Sequence, residues 1–157
     1  KDKKLDVKIA DFGLSRWYTI PIKKYTREVL TLYYRCPELL LGGDSYSVGI
    51  DMWSIGCIFG ELFTKRPLFM GNSEISQFLE ICKIMGSPKE ENFPGFKSFP
   101  DFSKELPLYT QSYLKEKLMG TCIDENAMDL LKKMLTLNPT KRITCREALK
   151  HAFFSDH

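Results

Sequence analysis

The sequence lacks most of the features that mark specialised surfaces. No uninterrupted apolar run approaches the roughly 20 residues that a bilayer-spanning helix needs, and the opening Lys1-Asp2-Lys3-Lys4 is not followed by an apolar core of the secretory-signal type. The expectation is a protein with no membrane segment that works inside the cell, in cytoplasm and/or nucleus. Charge of one sign is also missing. The 23 basic and 20 acidic residues leave a net charge of +3 with no basic block, which argues against nucleic acid as a partner. Histidine is scarce, with only His151 and His157 near the C-terminal end, and the five cysteines (Cys36, Cys57, Cys82, Cys122, Cys145) form an odd, widely spaced set without a C-x-x-C. Zinc sites and a disulfide framework are therefore disfavoured, and four of the cysteines, lying in apolar or helix-like segments, read as small hydrophobes. There is no internal repeat. What is present is apolar material: 43% of the 157 residues are hydrophobic and 13% aromatic, enough for one compact domain rather than a disordered chain.

Periodicity divides the chain. Leu5, Val7 and Ile9 alternate with Asp6, Lys8 and Ala10, which predicts a strand running into Asp11-Phe12-Gly13, with the turn-like residues 1–4 expected to join it to a preceding strand of a hairpin. Such a strand needs a partner, so the chain is expected to be a piece of a longer protein. Residues 13–34 show no period and contain Pro21, the signature of a long functional loop. From Ser47 to Phe63 apolar side chains occupy nearly every face, which predicts a helix buried all round and stopped by Pro67. A second helix is expected with Ser73 as N-cap, Glu74 in its first turn and Ile75, Phe78, Leu79 and Cys82 on its buried face, ending at Gly86 and Pro88. Residues 87–123 carry Pro88, Pro94, Pro100 and Pro107 among scattered aromatics, and read as an extended surface connection with one short helix near Tyr113–Met119. Asp124 opens a helix whose stripe is Ala127, Leu130, Leu131 and Met134, closed by Asn138-Pro139. Thr144-Cys145-Arg146-Glu147 has the form of a capping box for a last short helix.

One ordered series of motifs gives these elements a meaning. Asp11-Phe12-Gly13 is weak alone, but Arg35-Cys36-Pro37-Glu38 begins 24 residues on, Asp51-Met52-Trp53-Ser54-Ile55-Gly56 begins 40 residues on, and Arg142 follows near the end. In that order and spacing the series resembles the protein kinases, and specifically their cyclin-dependent branch, over essentially the whole chain. The resemblance implies a mainly α fold: the helical C-lobe of the protein-kinase-like (α+β) fold, incomplete at its N-terminus. Residues 1–12 would be the strand and the start of the Asp-Phe-Gly motif, 13–38 the activation segment, and 39–157 the helical lobe.

Roles follow from the resemblance residue by residue. Asp11 matches the aspartate that coordinates magnesium on the ATP phosphates, a task for a hard carboxylate oxygen; the plainer alternative is an Asp that caps the turn before Phe12-Gly13. Phe12 matches the side chain whose packing separates active from inactive arrangements, and Gly13 would supply freedom for the turn. Thr26 matches the activating phosphosite, which an activating kinase would modify and which Arg16, with Lys23 and Lys24 nearby, would help to hold. Val29, Leu30 and Arg35 match the segment that selects the residue after the phosphoacceptor. In the family a backbone carbonyl near Leu30 faces the arginine matched by Arg35, so an incoming peptide N–H finds no acceptor and proline, which has none, is favoured. Thr31 matches the threonine that steadies the catalytic loop. Glu38 and Arg142, 104 residues apart, match a buried ion pair that anchors the end of the activation segment. Asp51 matches an acid that accepts hydrogen bonds from the catalytic loop.

There are departures as well. The usual alanine before Pro37-Glu38 is Cys36, whose thiol, if partly exposed, would be open to modification. The chain holds no Gly-rich loop, no V-A-I-K lysine and no H-R-D-x-x-x-x-N, so the expectation is a parent enzyme that transfers the ATP γ-phosphoryl to Ser or Thr followed by Pro, needs ATP and Mg2+ and a cyclin-like activator, and of which this chain alone is inactive. Two alternatives stay open: a non-catalytic half-kinase that docks partners through its helical face, and a kinase of the mitogen-activated branch, against which the order Tyr25-Thr26 speaks.

Overall fold

The apolar run after Val48 forms the longest helix of the described residues. The computed structural model describes residues 7–15, 31–43 and 47–155. Six α-helices lie in that range: α1 (Pro37–Leu40), α2 (Gly49–Thr64), α3 (Glu74–Met85), α4 (Leu114–Lys117), α5 (Glu125–Met134) and α6 (Cys145–Ala148). Single 3-10 turns sit at Phe12–Leu14, Leu32–Tyr34, Phe96–Ser98 and Ala152–Phe154. The expected mainly α lobe is what folds; among the described residues there is no strand, and no helix is long and apolar enough to cross a membrane.

Helix starts follow local chemistry. At α3 the Ser73 hydroxyl accepts from the Ser76 N–H at 3.2 Å while Ser76 Oγ accepts from the Ser73 N–H at 2.9 Å, a reciprocal cap. Asp124 caps α5 by accepting from the Ala127 N–H at 2.7 Å. At α6 Thr144 and Glu147 satisfy each other's backbone N–H groups, and the Thr144 donors hold the Glu147 carboxyl below its ordinary range. α2 stops at Lys65, which turns left-handed (φ 58°) so that its N–H closes on the Glu61 carbonyl at 2.8 Å.

The main core gathers Trp53 and Cys57 from α2, Phe78, Ile81 and Cys82 from α3, Leu131 from α5, and Leu114 and Leu118 around α4. Trp53 stacks on Phe69 with ring centroids 5.8 Å apart. A smaller cluster of Met52, Leu130, Met134 and Ala148 seals α6 against α2 and α5. The expected stripe on α5 is the observed one, since Ala127, Leu130, Leu131 and Met134 are all buried.

Four expectations need correction. α2 is not buried all round: Ile55, Ile58 and Leu62 are exposed and share one side of the helix with exposed Asp51, because no described element packs over that side. On α3 Ile75 faces solvent, and the buried face is Gln77, Phe78, Ile81, Cys82 and Ile84, a shift of the stripe that brings a polar residue inside. Residues 7–10, expected to be the described end of the strand, form none. Val7 and Ile9 are 92% and 85% exposed, because alternation makes a strand only where another strand completes the ladder. Nor is the 87–123 connection merely laid over the surface. Phe93, Phe96, Phe99 and Phe102 build their own cluster with centroids 5.1–6.4 Å apart, and backbone bonds from Ser87 to Tyr109 (2.8 Å), Tyr113 to Ile84 (2.7 Å) and Asp101 to Leu41 (2.9 Å) pin it to the ends of α3 and α1.

Gln77 explains how α3 docks. Its fully buried amide accepts from the Gly71 N–H at 2.7 Å and donates to the Phe69 and Tyr33 carbonyls at 3.4 and 3.2 Å, so a polar side chain inside the core has its bonds made. A Cβ on Gly71 would lie 2.2 Å from the Gln77 backbone nitrogen, a contact that no side-chain rotation relieves. Gly71→Ala should therefore destabilise the protein by about 3 kcal/mol, the upper end of overpacking costs, read as a lowered denaturation midpoint at unchanged m-value.

Candidate functional site

Two residues from opposite ends of the sequence meet at the foot of α1. Arg142 Nη1 and Nη2 donate to Glu38 Oε1 and Oε2 at 2.8 and 3.0 Å, a bidentate pair whose side chains are 0% and 5% exposed. The rest of the guanidinium is also bonded. Nη1 reaches the Gly49 carbonyl at 2.6 Å, Nη2 the Leu137 carbonyl at 3.3 Å and Nε the Thr136 carbonyl at 3.0 Å. The guanidinium carbon lies 5.1 Å from the centroid of the Trp53 ring, joining the ion pair to the core.

Cys36, the residue before α1, is fully buried. Burial first, and the charge of neighbouring Glu38 second, push its thiol well above the ordinary range, so the partly exposed, modifiable thiol considered from the sequence is not there. Cys57 and Cys82 are buried too, and burial pushes Cys82 up to about 12. Cys122 and Cys145 are exposed, so three cysteines are buried where four were expected to act as small hydrophobes.

The segment just before α1 is held residue by residue. Gln77 of α3 donates to the Tyr33 carbonyl; Ser54 of α2 donates to the Tyr34 carbonyl at 3.0 Å; the Tyr34 hydroxyl donates to Glu61 of α2 at 2.9 Å. Burial, and then that hydrogen bond to a carboxylate, raise the Tyr34 pKa. Arg35 Nη1 meets Glu74 Oε1 in the first turn of α3 at 2.5 Å. Residues 33–35 are thus gripped alternately by α3, α2 and α3.

The Asp-Phe-Gly turn is built differently from expectation. The left-handed residue is Asp11 (φ 61°), not Gly13, and Asp11 Oδ1 accepts a long bond from the Gly13 N–H at 3.4 Å. The aspartate side chain itself stabilises the turn and tolerates the positive φ, so the glycine does not supply it. That is the capping geometry weighed as the plainer alternative, and the Asp11 residue as a whole is exposed. Phe12 is exposed. Asp51 is exposed, with no hydrogen-bond partner for its carboxylate among the described residues, and Thr31 is exposed without a side-chain cap to the turn that follows it. Thr26, Arg16, Val29 and Leu30 lie outside the described residues. No cluster of three or more His, Cys, Asp or Glu able to hold a metal occurs among the described residues.

A family model for the protein kinase domain matches residues 1–154. The chain belongs to the protein kinase family. Two curated relatives lie in its cyclin-dependent branch. Cyclin-dependent kinase B2-1 of Oryza sativa subsp. japonica is 48% identical over 154 residues, 98% of this chain and 46% of that protein. Cyclin-dependent kinase B2-2 of Arabidopsis thaliana is 47% identical over 154 residues, 98% of this chain and 48% of that protein. The chain spans about half the length of the curated relatives it matches.

Within this kinase chain the structure brings Glu38 and Arg142 together and sets Arg35 just before them, whereas Asp11 and Asp51 stand apart as exposed carboxylates. Sequence reasoning missed Glu61, Glu74, Gln77 and Ser54, the residues that hold 33–35. No local signal marked them: Gln77 follows the polar Ser76 in an ordinary amphipathic helix.

The ion pair yields a direct test. Removing either partner leaves a buried charge uncompensated, at a cost on the order of 3–5 kcal/mol. Glu38→Ala and Arg142→Ala should each lower the melting temperature, and the double variant should lose much less than the sum. Strict additivity in that cycle would mean that the pair carries no coupling.

Proposed function

We propose that this chain is the C-terminal part of a proline-directed serine/threonine protein kinase of cyclin-dependent type, whose complete form transfers the γ-phosphoryl of ATP to Ser or Thr followed by Pro. The observation that carries the reading is the rigid mounting of residues 33–35 directly before the Glu38–Arg142 anchor. A loop that must hold a peptide in register needs a fixed floor, and α2 and α3 supply it.

Asp11 is the proposed magnesium ligand. An exposed carboxylate suits an ion that takes one or two carboxylates and completes its shell with phosphate oxygens and water. When bound, the ion would neutralise the phosphate oxygens of ATP. In the same reading Phe12 and Gly13 support that aspartate, Val29, Leu30 and Arg35 select proline, and Thr31 and Asp51 meet the catalytic loop that the complete enzyme supplies. Thr26, with Arg16, is the activating phosphosite for a separate kinase. The partners are a cyclin-like activator and protein substrates bearing Ser/Thr-Pro, and the setting is cell-cycle or transcription control inside the cell, in cytoplasm or nucleus.

Radiolabelled transfer from ATP tests this. The complete kinase, bound to its activator with Mg2+, should phosphorylate a Ser-Pro peptide and not its Ser-Ala counterpart, and Thr26→Ala should lower that rate at least tenfold, because an ordered loop is a precondition for positioning the acceptor. The present chain alone should transfer nothing, since it carries no catalytic aspartate loop and no ATP-lobe lysine. Transfer by the purified chain alone, or full activity of Thr26→Ala, would overturn the corresponding part of the reading.

A further inference from the structure

Glu74 has no part in the chemistry described so far, yet it touches the one charged side chain in the substrate-selecting segment that the structure describes. The Arg35 side chain is 13% exposed and that of Glu74 35%. Their 2.5 Å contact spans 39 positions of sequence. Glu74 stands at the first position of α3, directly after the capping Ser73, where the helix N-terminus favours a negative charge, so the carboxylate is held by the helix as well as by Arg35. One turn further, on the same helix, Gln77 holds the Tyr33 carbonyl.

A guanidinium is planar and its five N–H groups form a rigid fork, so a carboxylate that fixes one Nη also fixes the directions of the remaining donors. Arg35 is thus aimed by α3 rather than by its own flexible stem. From this geometry we infer that Glu74 is a positioning residue for proline direction: it orients Arg35, and through it sets how strongly a peptide whose residue after the phosphoacceptor carries a backbone N–H is rejected. The inference rests on the proline-directed reading above and adds to it the residue, and the helix, that set the stringency. It also separates selectivity from stability. An ion pair with one partner a third exposed adds little to folding, so its loss should alter substrate choice while leaving the fold in place.

The test uses the complete kinase bound to its activator, with matched Ser-Pro and Ser-Ala peptides. Glu74→Ala should lower the ratio of kcat/KM for the two peptides about tenfold, mainly by raising turnover of Ser-Ala, at a melting temperature close to wild type. Should the alanine variant fold poorly, Glu74→Gln, which keeps the shape without the charge, should shift the ratio in the same direction. A ratio unchanged in both variants overturns the inference, as does a parallel loss on both peptides accompanied by a lower melting temperature, which would make Glu74 merely structural. A wild-type enzyme with no preference between the peptides overturns the proline-directed reading itself, and so is distinguishable from a failure confined to Glu74.

Discussion

A guanidinium out of water must satisfy every one of its donors, and Arg142 does so with the Glu38 carboxylate and three backbone carbonyls. Those carbonyls belong to Gly49 at the start of α2 and to Thr136 and Leu137 after α5. One side chain therefore fixes the relative placement of α1, α2 and the end of α5. Lysine could not do this, having a single nitrogen and no planar fork. Residues 33–35 run directly into α1, so the ion pair also decides where the segment proposed to select substrate lies. Its cost in desolvation is several kcal/mol per ion, offset only because the geometry is bidentate and the remaining donors are bonded.

The surroundings of the pair reinforce it. Trp53 lies over the guanidinium and stacks on Phe69 on its other contact, so the core of α2 and the electrostatic anchor share one side chain. Cys36 fills the space beside Glu38, where its thiol, kept protonated by burial, adds no competing charge. Around 33–35 the bonds come from two helices with different jobs: α2 holds Tyr34 by both backbone and hydroxyl, and α3 holds Tyr33 and Arg35. A segment gripped from two sides keeps its register even though its own backbone closes only a single 3-10 turn, Leu32–Tyr34.

Not every part is so constrained. The turn after Asp11 is closed by the Ser15 N–H and hydroxyl on the Phe12 carbonyl at 3.0 and 2.7 Å, with a long bond from the Gly13 N–H to a left-handed aspartate, and Phe12, Val7 and Ile9 are exposed. The outward face of α2 presents Ile55, Ile58 and Leu62 beside exposed Asp51, whose carboxylate has no hydrogen-bond partner among the described residues. Both regions carry residues matched to the kinase pattern, and both make few contacts among the described residues. The contrast divides the chain into a well-packed mount, built on α1, α2, α3 and α5, and exposed groups that the mount carries.

Helix starts at Ser73, Asp124 and Thr144, and the buried stripe of α5, could be read directly from the sequence, because a cap or a stripe is decided by side chains three or four positions apart. The partnership of Glu38 with Arg142 was legible only through the resemblance to kinases, since nothing local links positions 104 apart. Only the tertiary structure decided that α2 has an open face, that α3 turns Gln77 inward and Ile75 outward, that the Asp-Phe-Gly turn takes its positive φ at Asp11, and that Glu74 reaches Arg35. Each of these depends on which element packs against which. Hydrophobic periodicity says that a side chain can be buried; what covers it, and which polar group it must then satisfy, is set by contacts between residues that the chain brings together only once its helices have packed.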